Sequence, residues 1–220
     1  MVAGRHGLYS GSALLPSGYE MLDWVDCDTV DRGSTSGQPW GAYAMTDIAG
    51  LTRDTWGLDA YAVRTSAVGE WNFLAGAEYS DNQNGYIKIR LAGPSGLFEQ
   101  NTGSALNVPC DAGVVQHVVI EDRIADVNGV RWTVNSSNVV NDRKLCLGGA
   151  ELVVSKYDGY KRTWPGLIGR AKVFSDHVLV GDFVPAKRTS DGMCGFYCLV
   201  AKKFYLSSNP AVPFKEGALA

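Results

Sequence analysis

Four Asx-Gly dipeptides, Asn84-Gly85, Asn128-Gly129, Asp158-Gly159 and Asp191-Gly192, punctuate this chain between apolar or alternating runs. Asn, Asp and Gly accept the positive φ of a type I′ turn, whose twist matches that of the two strands it joins. Two-residue turns join antiparallel neighbours, because parallel strands need a long crossover. The chain is therefore expected to be mostly antiparallel β. After the first dipeptide, Tyr86-Ile87-Lys88-Ile89-Arg90-Leu91 alternates strictly. Ile87, Ile89 and Leu91 fall on one face and Tyr86, Lys88 and Arg90 on the other, as in a half-buried strand.

Asn128-Gly129 separates the runs 114–120 and 130–134, with Glu121 to Val127 read as a long connection and Val130, Trp132 and Val134 as the inward set. Further β-rich runs lie at 71–77, 152–154, 168–174, 178–180 and 196–200, and none carries a sustained helical period. Many short strands with Gly and Asx turns between them predict two sheets that bury alternate residues against each other. A short helix or 3₁₀ turn is expected at Met45 to Leu51, and loops at Thr29 to Gln38 and Asn101 to Pro109.

At 220 residues, 45% of them hydrophobic and 20% charged, the chain has material for one well-filled core. The expected organisation is an N-terminal arm at 1–14, one sandwich at 15–206, and an extended Pro-bearing tail at 207–220 that lies on the domain or frays from it. The net charge of -3 offers no basic field for phosphate, so nucleic acid is not an expected partner. No apolar run approaches the ~20 residues of a membrane span. The opening, Met1 to Leu15, is too polar for the apolar region of an export signal.

Five cysteines, Cys27, Cys110, Cys146, Cys194 and Cys198, make an odd set that, without an export signal, points to reduced thiols. Cys194 and Cys198, if on one strand, lie ~13 Å apart, beyond the ~7 Å a disulfide tolerates. His6, His117 and His177 are scattered singly, so no zinc site is expected.

From Leu15-Pro16-Ser17-Gly18-Tyr19 near the start to Lys203-Phe204-Tyr205 near the end, several segments resemble the concanavalin A-like, laminin-G-like jelly rolls carried by bacteriophages, prophages and some bacterial surface proteins. Leu15-Pro16-Ser17-Gly18-Tyr19 is similar to that family's opening, and His117 to Val130 to its strand and hairpin. Leu145 to Gly149, Leu167 to Phe174 and Val180 to Arg188 resemble its later strands. Ser190-Asp191-Gly192, Gly195-Phe196-Tyr197 and Lys203-Phe204-Tyr205 resemble its closing cassette. The likeness spans the first strand and roughly the C-terminal half, leaving Gly33 to Asn107 without a counterpart. It implies an all-β, two-sheet jelly-roll sandwich.

The resemblance also implies a non-enzymatic virion component, a head decoration, tail or fibre module made in the host cytoplasm. Its partners would be copies of itself, other virion proteins and a host-surface glycan. The alternative is a carbohydrate-binding, lectin-like module of a bacterial protein. Enzymes on this scaffold carry paired carboxylates as E-x-D-x-x-E on one strand, and no such segment occurs here. Glu70, Glu78, Glu99, Glu121 and Glu151 are isolated, and Glu121-Asp122 is expected to point to opposite faces of a strand. His117 has no nucleophile elbow and is expected to pack under a loop.

Exposed aromatic rings are the usual platform for a sugar face. Trp40, Tyr43, Trp56, Tyr160 and Trp164 sit near Gly, Pro and polar residues and are the candidate surface aromatics, whereas Trp71 and Trp132 are assigned to the core. No cofactor is expected. Asp81 to Gly85 lacks calcium-loop spacing, and calcium held by loop carbonyls would leave no sequence mark. Thiol titration under denaturing, non-reducing conditions is expected to count five; a count of three or one would show a disulfide.

Overall fold

The computed structural model describes residues 15–27, 41–65, 71–77, 87–92, 97–100, 104–133, 140–150 and 163–219. Among them every regular element is a strand. The first five are Tyr19–Met21 (β1), Trp24–Asp26 (β2), Ala44–Met45 (β3), Leu51–Thr52 (β4) and Trp56–Arg64 (β5). Trp71–Ala77 (β6), Ile87–Ala92 (β7), Leu97–Gln100 (β8) and Ser104–Pro109 (β9) follow. Next come Val115–Glu121 (β10), Ile124–Val127 (β11), Val130–Thr133 (β12), Val140–Asn141 (β13) and Cys146–Leu147 (β14). Gly166–Ser175 (β15), Val178–Arg188 (β16), Cys194–Cys198 (β17), Lys203–Tyr205 (β18) and Lys215–Gly217 (β19) complete the set.

The larger sheet runs β12-β11-β10-β5-β15-β16-β17-β18, with β1 against β16 and β2 joining β15 to β19. The smaller runs β3-β14-β6-β7-β8-β9, while β4 and β13 form a separate pair. All ladders between these strands are antiparallel. The inner faces meet in one core: Leu58, Ala60, Ala62, Val118, Ile120, Val173 and Phe183 from the larger sheet, Leu74, Ile87, Ile89, Leu91 and Phe98 from the smaller. This is an all-β, jelly-roll-like antiparallel sandwich.

Of the two Asx-Gly dipeptides within the described residues, only Asn128-Gly129 forms the expected two-residue turn; Asp191-Gly192 lies in a longer connection between β16 and β17, where Gly192 (φ 72°) but not Asp191 takes a positive φ. Asn128 (φ 51°) and Gly129 (φ 87°) take the two positive-φ positions of the β11-β12 turn. Asn84-Gly85 and Asp158-Gly159 lie outside the described residues, as do Trp40, Tyr160 and the segment 1–14. Close approach, not φ, demands glycine at Gly195: a Cβ there would sit 2.3 Å from the Tyr205 carbonyl oxygen across the β17-β18 ladder.

Several expectations are corrected. Glu121 to Val127 is not an open connection: a tight turn at Asp122 and Arg123 lets Ile124–Val127 form a strand of its own. Ala44–Met45 and Leu51–Thr52 are short strands where a helical turn was expected, and Ser104–Pro109 is a strand in a stretch read as loop. β7 is buried on both faces, Lys88 (4% exposed) and Arg90 (8%) included, so strict alternation misstated its outer side. Val130 and Trp132 have the inward phase, opposite Val127 and Ala125. At the sheet's edge, however, Val130 remains 53% exposed and Trp132 only partly buried.

The tail beyond Ser207 lies on the domain and does not fray from it. Phe214 is 4% exposed and meets the Phe196 ring edge-on at 5.4 Å, and β19 pairs with β2. All five cysteines are buried and none is in a disulfide. Burial raises the Cys27 thiol well above its ordinary value and pushes Cys110 up to about 12.

Asp47, in the loop after β3, fastens that loop to β18. Lys203 Nζ donates to Asp47 Oδ2 at 2.5 Å and the Tyr205 hydroxyl donates to the same oxygen at 3.0 Å. These hydrogen bonds hold the Asp47 carboxyl below its usual value. Burial first, and the Asp47 carboxylate second, push the Tyr205 phenol up to about 12. Because that value is raised in the fold, the associated stability is complete below the unfolded-state value of ~10 and is lost as pH climbs through about 12. Ultraviolet titration of the folded protein is expected to show one tyrosine ionising near pH 12. In Asp47→Asn that step should move lower yet stay above the ordinary value, since burial remains; an unmoved step would mean that Asp47 has no part in it.

Candidate functional site

The outward positions of the larger sheet converge at the end where three turns meet. On β5 the buried set is Trp56, Leu58, Ala60 and Ala62, so the alternation turns Asp59 and Tyr61 to the opposite face. On β10 the same period buries Gln116, Val118 and Ile120 and turns Val115, His117 and Val119 outward. The β5-β10 register sets His117 opposite Tyr61 and Val119 opposite Asp59.

Register alone therefore builds a cluster. The His117 and Tyr61 rings stack at 4.4 Å and 6°. His117 Nε2 lies 2.8 Å from Asp59 Oδ1 on the diagonal. An ionised carboxylate only accepts, so Nε2 carries the proton in this contact. Asn128 steadies the strand: its Oδ1 accepts the His117 backbone N–H at 2.8 Å, and its Nδ2 donates to Gln116 Oε1 at 3.0 Å.

Next to this cluster lies a cleft of about 250 Å³, lined by Thr55, Gly57, Leu58, Asp59, Val119, Ile120, Glu121, Asp122, Phe174 and His177. Phe174 packs across Gly57, where a Cβ would come within 3.1 Å of both Phe174 Cβ and the Ile120 carbonyl oxygen. The β10-β11 turn places Asp122 at φ 54°, and the β15-β16 turn places Asp176 and His177 at φ 48° and 64°. Asp122 Oδ1 and His177 Nε2 are 3.4 Å apart, and the Thr55 hydroxyl donates to Asp176 Oδ1 at 2.6 Å. The Thr55–Asp176 bond ties the segment before β5 to the β15-β16 turn, and the β10-β11 turn lies beside them. Glu121 ends its strand and Asp122 enters the turn, so both line one cleft; the expectation that they diverge held only for a continuing strand.

The sequence-assigned aromatics lie elsewhere. Tyr43 (2% exposed), Trp56 (0%) and Trp164 (0%) are buried, which corrects their assignment to the surface. Trp56 opens β5 in phase with Leu58 and Ala60, a period-2 signal more informative than its polar neighbours. The Trp164 indole N–H donates to the Val63 carbonyl at 3.2 Å, and its ring stacks on Phe98 at 6.2 Å. His117 stands on a half-exposed sheet face, not under a loop; its side chain is 41% exposed.

The cleft is lined by carboxylates, an imidazole and one aromatic ring, a combination that can accept and donate hydrogen bonds to a polar ligand while the ring packs its apolar side. Among the described residues no group of three or more His, Cys, Asp or Glu side chains is placed to hold a metal ion. No helix among them is long and apolar enough to cross a membrane. The fold places the chain among all-β, jelly-roll-like sandwiches with an open cleft on the outside of the larger sheet. No family model matches the chain, and no curated protein matches its sequence.

Because the His117-Asp59 pair is half exposed, its contribution to stability is small. His117→Ala is expected to lower the unfolding free energy by no more than about 1 kcal/mol in denaturant titration. A loss of several kcal/mol would make the cluster a structural support of the sheet instead of a surface feature.

Proposed function

We propose that this chain is a non-enzymatic structural module of a bacteriophage or prophage particle, a head decoration, tail or fibre component that works by assembling with copies of itself or with other particle proteins. The observation that carries the assembly reading is the apolar surface left at the end and edge of the larger sheet. Val130 is 53% exposed, Ile124 49%, Val178 64% and Leu179 39%. Apolar side chains grouped on strand edges and hairpin tips are a liability for a solitary domain and an asset for one that is covered by a neighbour.

The particle assignment rests on the resemblance of the closing segments, which here form β15 to β18. One carboxylate of the cleft, Asp59, is hydrogen-bonded to the His117 imidazole, and Asp122 lies 3.4 Å from that of His177, in line with a binding surface more than a hydrolytic pair. Five buried thiols fit synthesis in a reducing host cytoplasm.

A second reading, a carbohydrate-binding module, is favoured by one feature: the cleft lined by Phe174 together with Asp59, Glu121, Asp122 and His177. A ring for the apolar sugar face and carboxylates for its hydroxyls are the usual ingredients. Mass spectrometry of purified particles from an induced host is expected to find this chain as a stoichiometric component. Its absence from particles, together with glycan-array binding that Phe174→Ala abolishes, would reject the particle reading and establish the lectin.

A further inference from the structure

The larger sheet ends at β12, whose only strand partner among the described residues is β11. Three of its four residues are exposed, and Val130, although in the inward phase, is 53% exposed. We infer that β12 pairs antiparallel with β12 of a second copy of this chain, about a two-fold axis through Trp132, joining two larger sheets into one continuous sheet. The inference deepens the assembly reading and rests on it.

The register follows from the turn. A two-residue turn at Asn128-Gly129 is closed by the Val127-Val130 pair, and hydrogen bonding then alternates along the ladder. Val130 and Trp132 accordingly point their main-chain groups at β11, whereas Arg131 and Thr133 point theirs at the open edge. Of the registers that keep inward residues opposite inward residues, two centre on β12's interior. Centring on Arg131 sets that cation opposite itself, which is unfavourable. Centring on Trp132 sets Arg131 opposite Thr133 of the second copy, twice by symmetry, and each such pair exchanges both bonds. It also sets the two Trp132 residues opposite each other as a non-hydrogen-bonded pair, the closest kind, with Cα atoms ~4.5 Å apart.

Charge agrees with a copy as the occupant. The Arg131 side chain is 77% exposed, but its Nε lies 2.7 Å from Asp126 Oδ2 on the adjacent strand. The edge is thus balanced within its own chain, and an identical edge meets it without like charges opposed. A two-fold contact needs a self-complementary patch, and inward Val130 and Trp132 flanked by outward Arg131 and Thr133 supply one. A four-residue ladder alone buries far less than the ~1,200 Å² of a stable interface, so the isolated pair is weak and gains from repeated contacts in a particle.

Sedimentation velocity from micromolar to millimolar protein is expected to show a concentration-dependent dimer. Arg131→Pro removes an N–H that β11 does not use, so the fold, checked by circular dichroism, should survive while the dissociation constant rises at least about tenfold, ~1.4 kcal/mol. Arg131→Ala removes the same ion pair but keeps the N–H and should dimerise as the wild type does. A wild type that stays monomeric throughout, or a dimer indifferent to Arg131→Pro, overturns the inference. Either outcome leaves the particle reading to be decided by particle composition.

Discussion

The ladder between β5 and β15 is the contact on which the other parts of the structure depend. It runs from Gly166 opposite Arg64 to Ser175 opposite Trp56, with a register shift between Ile168 and Ala171. On its inner face Leu58, Ala60, Ala62, Ile168, Ala171 and Val173 enter the main core; on its outer face Val63 and Leu167 join Trp24 in a second, smaller cluster. Burial on both sides is what makes a central strand hard to displace, because neither face can turn to water without losing ~25 cal/mol per Å² of apolar area. Its start leaves no room for error. A Cβ at Gly166 (φ +152°) would come 2.2 Å from the Val63 carbonyl oxygen, the same oxygen that the Trp164 indole N–H approaches at 3.2 Å.

Everything functional is placed from that ladder outward. β10 pairs with the far side of β5 and so brings His117 beside Tyr61 and Asp59; the end of β15 and the turn after it bring Phe174 and His177 to the same end. Beyond β10 the sheet thins through β11 to the exposed β12, while on the other side it is finished by β17, β18 and the returning β19. The two sides are therefore unlike. One is clasped by aromatic contacts, Tyr19 with Tyr197 and Phe204 at 4.9 and 5.1 Å, and by the buried Phe214; the other ends in four residues with mostly exposed side chains. A sheet so asymmetrically finished has one edge suited to a neighbour.

Buried polar groups add specificity at a few points. Arg170 and Asp182 form a two-pronged pair, Nε to Oδ1 at 2.7 Å and Nη2 to Oδ2 at 2.5 Å, on side chains only 21% and 10% exposed. Such a pair stabilises little relative to apolar packing but penalises any register that separates its members, because a lone buried charge is costly. It sits where β15 passes from pairing with β2 to pairing with β16, near the register shift, and there a slip would otherwise be cheapest. Many of these pairings join distant parts of the chain, as Trp164 and Val63 do across 101 positions, so the topology favours slow formation of the central sheet over fast local closure.

Read alone, the sequence determined the fold class and much of the strand content. Asx-Gly turns and period-2 alternation are local physics, and Ile87, Ile89 and Leu91, the β11-β12 turn, most of β15 and the opening of β16 needed nothing else; the rest of β16 was legible only through the family resemblance. It also placed Val130 and Trp132 on the inward phase. What it could not determine was depth, because alternation specifies which face a residue is on and not what covers that face. Lys88 and Arg90 lie buried on the supposedly wet side of β7, Trp56 and Trp164 are wholly buried despite polar neighbours, and Val130 is inward yet exposed because among the described residues no strand lies beyond β12. The candidate site was illegible for the same reason. Asp59, Tyr61 and His117 are 56 positions or more apart in their closest cross-strand pairing, and only the register of β5 against β10, decided when the sheet assembles, makes them neighbours.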